Sequence, residues 1–388
     1  MTSLSRRGLL TGASALGLSS ASALAAPPLA WQTVAPADVG FRSDLETRLE
    51  TLIAEKRVWK LHSVIVIRDR KIALERYFEG EDNSWGKVRN VRFDGGTLHN
   101  LYSVTKSIVG LLYGVALAEG KVPPPEAPLY AQFPEYADLV AADPRRKERM
   151  IVHALTMTLA LEWDEITIPY SDPRNGEIAM AMAKDRYRYI LSRPVIGVPG
   201  KRWLYCGGAT ALLGRIIAKG TGMTLPDYAR AALFDPAGIG PIEWINNMET
   251  WVTEKYGPGD GEPEAASGLR MTPRDLARIG QLVLDRGVVG SREVVPASWL
   301  EQSFVPRVSA DETRRFGYQW YTGDIAFGSR SKPRLEPWIG CFGNGGQRLW
   351  IIPELDLIVV TTAGNYGTDD QWVPPVRVLR EAVLPSVD

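Results

Sequence analysis

The chain has 388 residues, of which 45% are hydrophobic and 23% charged, a composition that excludes wholesale disorder and a multi-span membrane protein. Lys plus Arg and Asp plus Glu both number 45, so the formal net charge is zero and a nucleic-acid partner is not expected. Two cysteines are too few for a disulfide scaffold, and their spacing is not that of a structural zinc site. Because only three histidines are present, a hydrolytic mechanism is expected to use another base.

Residues 1–25 have the three parts of an export signal in order. Arg6 and Arg7 precede a weakly apolar stretch of small residues, and Ala23-Leu24-Ala25 fits a small-x-small cleavage site. The paired arginines resemble a twin-arginine signal, and the alternative is a frayed terminus with a chance Arg-Arg pair. The segment predicts a periplasmic or secreted protein with no stable membrane insertion after signal removal.

The next part of the chain predicts a helix, a strand hairpin, a loop and a second helix. In chain order these elements cover 44–56, 63–68 with 71–77, 79–97 and about 103–119. The strands are rich in β-branched residues, and the loop is polar and contains glycine. The second helix is apolar on almost every side, so it is expected to be buried.

The middle of the chain predicts short helices separated by Pro and Gly turns, with little strand signal. These helices are placed at 176–193, 209–219 and 225–233. A Thr272 N-cap followed by Pro273 then opens a helix that ends near Gly287. Strands over 316–321, 347–352 and 357–362 and a last helix near 373–383 complete the chain.

Strands at both ends and helices between them predict one α+β domain, an antiparallel sheet flanked by helices with a mainly helical insertion. The domain is expected to span 36–388, with its α/β part at 36–120 and 265–388 and its insertion at 121–264. No Gly-rich phosphate loop of Walker or Rossmann spacing occurs, and neither a cofactor nor a metal is expected.

The pattern Ser-x-x-Lys occurs three times, and its context separates the three copies. The copy at Ser84 lies in the polar loop. In the copy at Ser329 the lysine is Lys332, directly before Pro333, and a residue in that position disfavours helix. Only Ser103 opens a helix, which puts Lys106 one turn away on the same face. Burial and the helix terminus are expected to lower the pKa of Lys106, so that it accepts the proton of Ser103. The alternative is a helix-capping Ser103 with Lys106 extending to solvent.

The segment 97–107, which reads T-L-H-N-L-Y-S-V-T-K-S, resembles the nucleophile segment of the serine β-lactamase-related hydrolases. Four further segments resemble motifs of that family in the same order, at 152–158, 199–214, 266–278 and 343–353. The family includes class C β-lactamases, penicillin-binding D,D-peptidases, esterases and aminohexanoate-dimer hydrolases. The segments 316–320 and 345–347 are most similar to the last group. The resemblance implies a β-lactamase/transpeptidase-like fold.

The resemblance also implies roles for individual residues. Ser103 would be the acylated nucleophile and Lys106 its base partner. Tyr205 matches the family tyrosine that shuttles protons between the nucleophile and the leaving group. The backbone N–H groups of Ser103 and of Asn344, which follows Gly343 at the strand edge, would form the oxyanion hole.

Two positions depart from the family pattern. Alignment on Gly343 puts Cys341 where the third motif carries Lys or His, and Gly207 stands where Asn usually follows the tyrosine by two. Penicillin recognition relies on that Lys and that Asn, so the departures argue against β-lactamase activity and leave acyl transfer intact. The sequence therefore predicts a serine hydrolase that cleaves a small-molecule ester or amide. A β-lactamase or D,D-peptidase is one alternative, and a catalytically silent ligand-binding envelope protein is the other.

Several remaining polar residues are interpreted as structural. Solvated loop acids are predicted at Asp164, Glu165 and Asp172, and structural histidines at His62, His99 and His153. Cys206 and Cys341 are expected to be free thiols near the active site, with Cys341 the more exposed to substrate. The oligomeric state leaves no clear mark in the sequence.

Overall fold

The computed structural model describes residues 31–247, 250–257, 259–329 and 332–387. The predicted export signal at 1–25 lies outside the described residues. Within the described ranges, no helix combines the length and the apolar character needed to cross a membrane.

Strands contributed by both ends of the chain form the central sheet. In chain order the strands are β1 (Gln32–Thr33), β2 (Leu61–Arg68), β3 (Lys71–Tyr77), β4 (Glu79–Ser84), β5 (Lys87–Arg92), β6 (His99–Asn100), β7 (Glu243–Trp244), β8 (Leu269–Met271), β9 (Val288–Val289), β10 (Arg292–Glu293), β11 (Val308–Ser309), β12 (Arg314–Phe316), β13 (Tyr321–Ser329), β14 (Lys332–Gly343), β15 (Gln347–Ile352) and β16 (Leu357–Ala363). The nine-stranded sheet has the order β1-β3-β2-β16-β15-β14-β13-β12-β11. All neighbouring strands are antiparallel except β1 and β3.

Helices cover both faces of this sheet and fill the segment between its two halves. They are α1 (Leu45–Ala54), α2 (Val104–Ala118), α3 (Ala137–Ala142), α4 (Ile151–Leu155), α5 (Gly176–Met182), α6 (Arg186–Ser192), α7 (Gly207–Thr221), α8 (Leu225–Ala229), α9 (Trp251–Tyr256), α10 (Pro273–Leu284), α11 (Ala297–Phe304) and α12 (Val373–Arg377), which continues as a wider turn over Val378–Val383. The α+β class and the sheet flanked by helices are confirmed.

The alternation of side chains along β2 divides the core into two layers. Ile65 and Ile67 point into a cluster shared with α2, α7 and α10. Val64 and Val66 point into the opposite cluster, which contains α1 and the C-terminal helix. In α2, thirteen of the fifteen residues are buried, as its all-round apolar sequence predicts.

Three of the predicted elements differ from the structure. Residues 79–92 were expected to form a loop, but they form the β4–β5 hairpin, whose turn at Trp85-Gly86 has φ values of 53° and 98°. The expected strand over 316–321 is two strands, because the chain bends after Phe316 through Gln319, which has φ 63°. The predicted helical stretch over 176–193 is also divided, since α5 and α6 are separate helices.

A close contact fixes α2 against α11. The indole nitrogen Nε1 of Trp299 donates a 2.9 Å hydrogen bond to the carbonyl of Gly110. One turn later, a Cβ atom on Gly114 would lie only 2.0 Å from Cδ1 of the same indole. The absence of a side chain at Gly114 therefore allows the indole to approach the helix backbone closely.

We expect Gly114→Ala to destabilise the protein by about 1–3 kcal/mol, because the added methyl group overpacks this contact. The loss should exceed the gain of up to about 1 kcal/mol that alanine brings to a helix. Urea unfolding measures the difference. Gly197→Ala is the control, since a Cβ atom there would meet only the Ala160 methyl group, at 3.8 Å. A Gly114→Ala variant as stable as the parent protein would contradict this account of the packing.

Candidate active site

Ser103 and Lys106 lie together at the first turn of α2. The ammonium Nζ of Lys106 donates hydrogen bonds to Ser103 Oγ and to the carbonyl of Ala266, both at 3.0 Å. Lys106 is only 3% exposed, and Ser103 makes no side-chain capping bond to the helix. Both features of the alternative interpretation, a capping serine and a solvated lysine, are therefore absent from this helix.

Tyr205 completes a cluster of three side chains. It is buried immediately before α7, and its ring centroid is 4.9 Å from Nζ of Lys106. Its hydroxyl interacts with the side chain of Ser103. The ring of Trp203 packs against that of Tyr205, with the two ring centroids 5.8 Å apart. The structure thus brings together the three side chains that the sequence selected.

The β4–β5 hairpin supports the turn that presents the serine. Tyr102 has φ 46°, a left-handed conformation that is uncommon outside glycine. Its hydroxyl donates a 2.9 Å hydrogen bond to the carbonyl of Asn83, and its ring centroid is 5.8 Å from that of Trp85. Both partners belong to the hairpin, so an element that the sequence did not predict holds the residue next to Ser103.

Gly343 and Asn344 lie at the end of β14, facing the start of α2. A Cβ atom on Gly343 would be 2.1 Å from the carbonyl oxygen of Leu101, so the strand directly abuts the segment before Ser103. The backbone N–H groups of Ser103 and Asn344 have no hydrogen-bond partner among the described residues. Ser103, Gly343 and Asn344 also line the same cavity, so these donors can serve an oxygen atom bound there.

The expected lowering of the Lys106 pKa is wrong. Burial, the largest single effect, does lower the pKa. The phenol of Tyr205 and the carboxyl groups of Glu177 and Glu165 oppose it, and together they raise the pKa above the usual value of a lysine. Burial likewise raises the pKa of Tyr205, although the Lys106 ammonium works against this rise. The resting pair therefore consists of an ammonium and a phenol.

Glu165 is not the solvated loop acid that the sequence predicted. It is 1% exposed, and its Oε2 accepts hydrogen bonds from the indole of Trp163 at 2.6 Å and from the Gly207 N–H at 2.9 Å. Burial, reinforced by the nearby Glu177, raises its pKa well above the range of an ordinary carboxyl group. A Cβ atom on Gly207 would lie 3.1 Å from the same oxygen, so the carboxyl group requires a small residue there.

The two neighbouring acids of the insertion have the structural roles expected of loop acids. Asp164 accepts hydrogen bonds from the backbone of Ile166 and Thr167, and Asp172 forms an ion pair with Arg174.

The histidines also take structural positions. His62 Nδ1 and His99 Nε2 form a buried hydrogen bond of 2.7 Å. Burial lowers the pKa of His62 to about 3 and that of His99 to about 4, so both rings are neutral at physiological pH. His153 Nδ1 accepts a hydrogen bond from the backbone of Met150.

The two cysteines are free thiols, as expected, but their predicted exposure is wrong. Cys341 is 1% exposed and Cys206 is 6% exposed. In the register of β14, Cys341 points into the core towards Ser107, whereas Phe342 and Gly343 line the cavity. Burial raises the pKa of both thiols, which leaves them protonated and unreactive.

The cavity above Ser103 has a volume of about 1090 Å³. Its walls come from the insertion, the sheet and the C-terminal segment, and include Glu165–Ser171, Tyr205, Asp311, Arg314, Asp324–Ala326, Trp338, Phe342–Asn344, Arg348, Trp350 and Gly367–Asp369. Tyr170, which the sequence analysis did not single out, is a partly buried residue of the cavity wall, and the loss of water around its phenol raises its pKa. The cavity is large enough for a small-molecule substrate.

Comparisons with known proteins agree with this geometry. The beta-lactamase family model matches residues 61–375. The 6-aminohexanoate-dimer hydrolase of Paenarthrobacter ureafaciens is 24% identical over 343 residues, which cover 82% of this chain and 74% of that protein.

Solved structures share the fold. A Bacillus anthracis protein provisionally named a 6-aminohexanoate-dimer hydrolase matches with TM-score 0.65 and 17% identity, over 92% of this chain and 86% of that one. The octameric penicillin-binding protein homologue from Pyrococcus abyssi matches with TM-score 0.59 and 18% identity, over 88% and 78%. The chain therefore belongs to the beta-lactamase family and is a hydrolase of the serine beta-lactamase type.

Proposed function

We propose that the protein cleaves a small-molecule ester or amide through an acyl-enzyme on Ser103. The observation that carries this proposal is the 3.0 Å hydrogen bond from Nζ of the buried Lys106 to Ser103 Oγ, beside a substrate-sized cavity. A lysine held against a serine hydroxyl and away from solvent is the arrangement of a serine nucleophile that does not depend on histidine. The same contact argues against a catalytically silent binding protein.

In the proposed reaction, Ser103 Oγ attacks the carbonyl carbon of the substrate and its proton passes to the Lys106–Tyr205 pair. The reactive form of the pair carries one proton fewer than the resting ammonium and phenol. It is either a Tyr205 phenolate beside the Lys106 cation or the tautomer with a neutral lysine. The pair then returns the proton to the departing oxygen or nitrogen as the tetrahedral intermediate collapses. Water hydrolyses the acyl-enzyme by the same steps in reverse order.

The negative charge of the tetrahedral intermediate needs donors on the opposite side of the carbonyl. In this proposal the unpartnered backbone N–H groups of Ser103 and Asn344 supply them. Because both are backbone groups fixed by α2 and β14, they need no reorganisation during the reaction.

Two features favour an open-chain ester or amide over penicillin. The side chain of Cys341 is packed in the core, and Gly207 has no side chain, so neither position can bind a β-lactam as the corresponding family Lys and Asn do. The resemblance to an enzyme named for the dimer of 6-aminohexanoate supports a linear amide or a related ester as the substrate type.

Ser103→Ala should reduce hydrolysis of p-nitrophenyl butyrate by at least about 10³-fold, because it removes the nucleophile that forms the acyl-enzyme. The release of p-nitrophenol measures the rate, and circular dichroism checks that the variant is folded. Ser84→Ala is a matched control, since Ser84 has the same Ser-x-x-Lys spacing but lies in the β4–β5 hairpin. Full activity in Ser103→Ala would overturn the proposal.

The rate should also rise with pH. The pKa values of Lys106 and Tyr205 are both raised, so the reactive form with one proton fewer is scarce at neutral pH and increases as the pH increases. We expect kcat/KM to rise by about tenfold per pH unit between about pH 6 and 9, after subtraction of the Ser103→Ala background. A profile that is flat or falls over this range would contradict the relay.

Tyr205→Phe tests the same relay at a single atom. Removal of the hydroxyl should lower kcat/KM by about 10²- to 10⁴-fold, the usual contribution of acid–base catalysis. Tyr321→Phe removes a hydroxyl from the same aromatic cluster but from a residue that does not contact Ser103. It should therefore keep both the activity and the dependence on pH.

A further inference from the structure

Arg348, on the wall of the cavity, is a buried cation without an acidic partner. It lies in β15 opposite Phe342, is 7% exposed, and has its guanidinium carbon 5.0 Å from the centroid of the Phe342 ring. Its Nη1 donates hydrogen bonds to the carbonyls of Gly343 at 2.7 Å and Gln347 at 2.8 Å. Among the described residues, nothing accepts a hydrogen bond from its Nε or Nη2, and no carboxylate lies within 4.0 Å.

Of the other buried arginines among the described residues, two have acidic partners and two bond only to neutral oxygen atoms. Arg186 forms ion pairs with Asp260 and Glu264, and Arg270 forms ion pairs with Asp82 and Glu243. Arg146 and Arg149 use several nitrogens to reach three or more oxygen atoms each. Arg348 alone in this set has two guanidinium nitrogens, Nε and Nη2, without a hydrogen-bond partner among the described residues, and it is also the one that lines the cavity.

The wall of the cavity also carries other charged residues, among them Arg314 and the acids Glu165, Asp311, Asp324 and Asp369. Arg314 lines the same cavity, although its charge is compensated by an ion pair with Asp311. Burial lowers the pKa of Arg348 to about 10, and the charge of Arg314 acts in the same direction. A buried cation destabilised in this way gains most from an anion that enters the cavity.

We propose that Arg348 binds a carboxylate of the substrate, so that the enzyme selects esters or amides that also carry a free carboxyl group. The proposal rests on the proposed function, since the anion would belong to the molecule cleaved at Ser103. A guanidinium presents parallel N–H donors that match the two oxygens of a carboxylate, and its remaining nitrogens are the ones available here. The bonds from Nη1 to the β14–β15 turn hold the group in place.

The selectivity can be measured with pairs of esters that differ only in a methyl group. Mono-p-nitrophenyl glutarate carries a free carboxylate on its acyl part, and its methyl ester is the neutral partner. 4-(Butanoyloxy)benzoate carries the carboxylate on the leaving group, and its methyl ester is again the neutral partner. The readout is the ratio of kcat/KM for the acid to kcat/KM for its methyl ester.

In the parent protein this ratio should exceed one in at least one of the two pairs. Arg348→Met should lower that ratio by about 10- to 100-fold, the value of a charged hydrogen-bonded pair. Arg314→Met is the matched control, and because Arg314 is already neutralised by Asp311 its ratio should change by less than about threefold. The proposal is overturned if neither pair shows a preference for the acid, or if Arg348→Met slows the acid and its methyl ester equally.

A binding experiment separates this proposal from the proposed function. Ser103→Ala cannot turn over, and isothermal titration with glutarate should show saturable binding to it. Ser103→Ala/Arg348→Met should bind at least about tenfold more weakly, with an unchanged thermal midpoint as evidence of folding. If the parent protein cleaves none of the esters, the proposed function fails while this titration still tests Arg348. Equal binding by the two variants, or no binding by Ser103→Ala, would reject the carboxylate site.

Discussion

The ammonium of Lys106, buried beneath Ser103, is the interaction on which the arrangement of the site depends. Transfer of such a cation from water to a protein interior costs several kcal/mol unless polar groups replace the lost water. Here the replacements are the hydroxyl of Ser103, the carbonyl of Ala266 and the electrostatic attraction of Glu165 and Glu177. The need to compensate one charge thus explains why polar groups from distant parts of the chain meet at the start of α2.

The groups around Lys106 come from separate elements of the fold. Ala266 precedes β8 and α10, Glu165 belongs to the insertion, and Tyr205 lies at the entry to α7. The insertion therefore contributes directly to the site. It supplies Glu177 and Glu165, which raise the pKa of Lys106, and it forms part of the wall of the cavity. At the opposite side, the contact of Gly343 with the segment before Ser103 connects the sheet to the nucleophile.

The sequence predicts well what local pattern determines. The Ser103–Lys106 spacing on an apolar helix and the β-branched strands were sufficient to locate α2, β2, β15 and β16. The sequence predicts poorly the features that depend on tertiary contacts. The β4–β5 hairpin is polar and lacks alternation, so only its pairing reveals it. The burial of Glu165, and with it the sign of the Lys106 pKa shift, depends on residues far away in the chain.

The most direct test of the central claim is to identify the residue that becomes covalently modified. The protein would be treated with a fluorophosphonate, which forms a stable phosphonyl ester with an activated serine as fluoride leaves. Intact-mass measurement and peptide mapping then locate the added group. The account predicts one added group, on the peptide that contains Ser103, and none on Ser103→Ala. Efficient ester hydrolysis without modification of Ser103, or with the group on another residue, would contradict it.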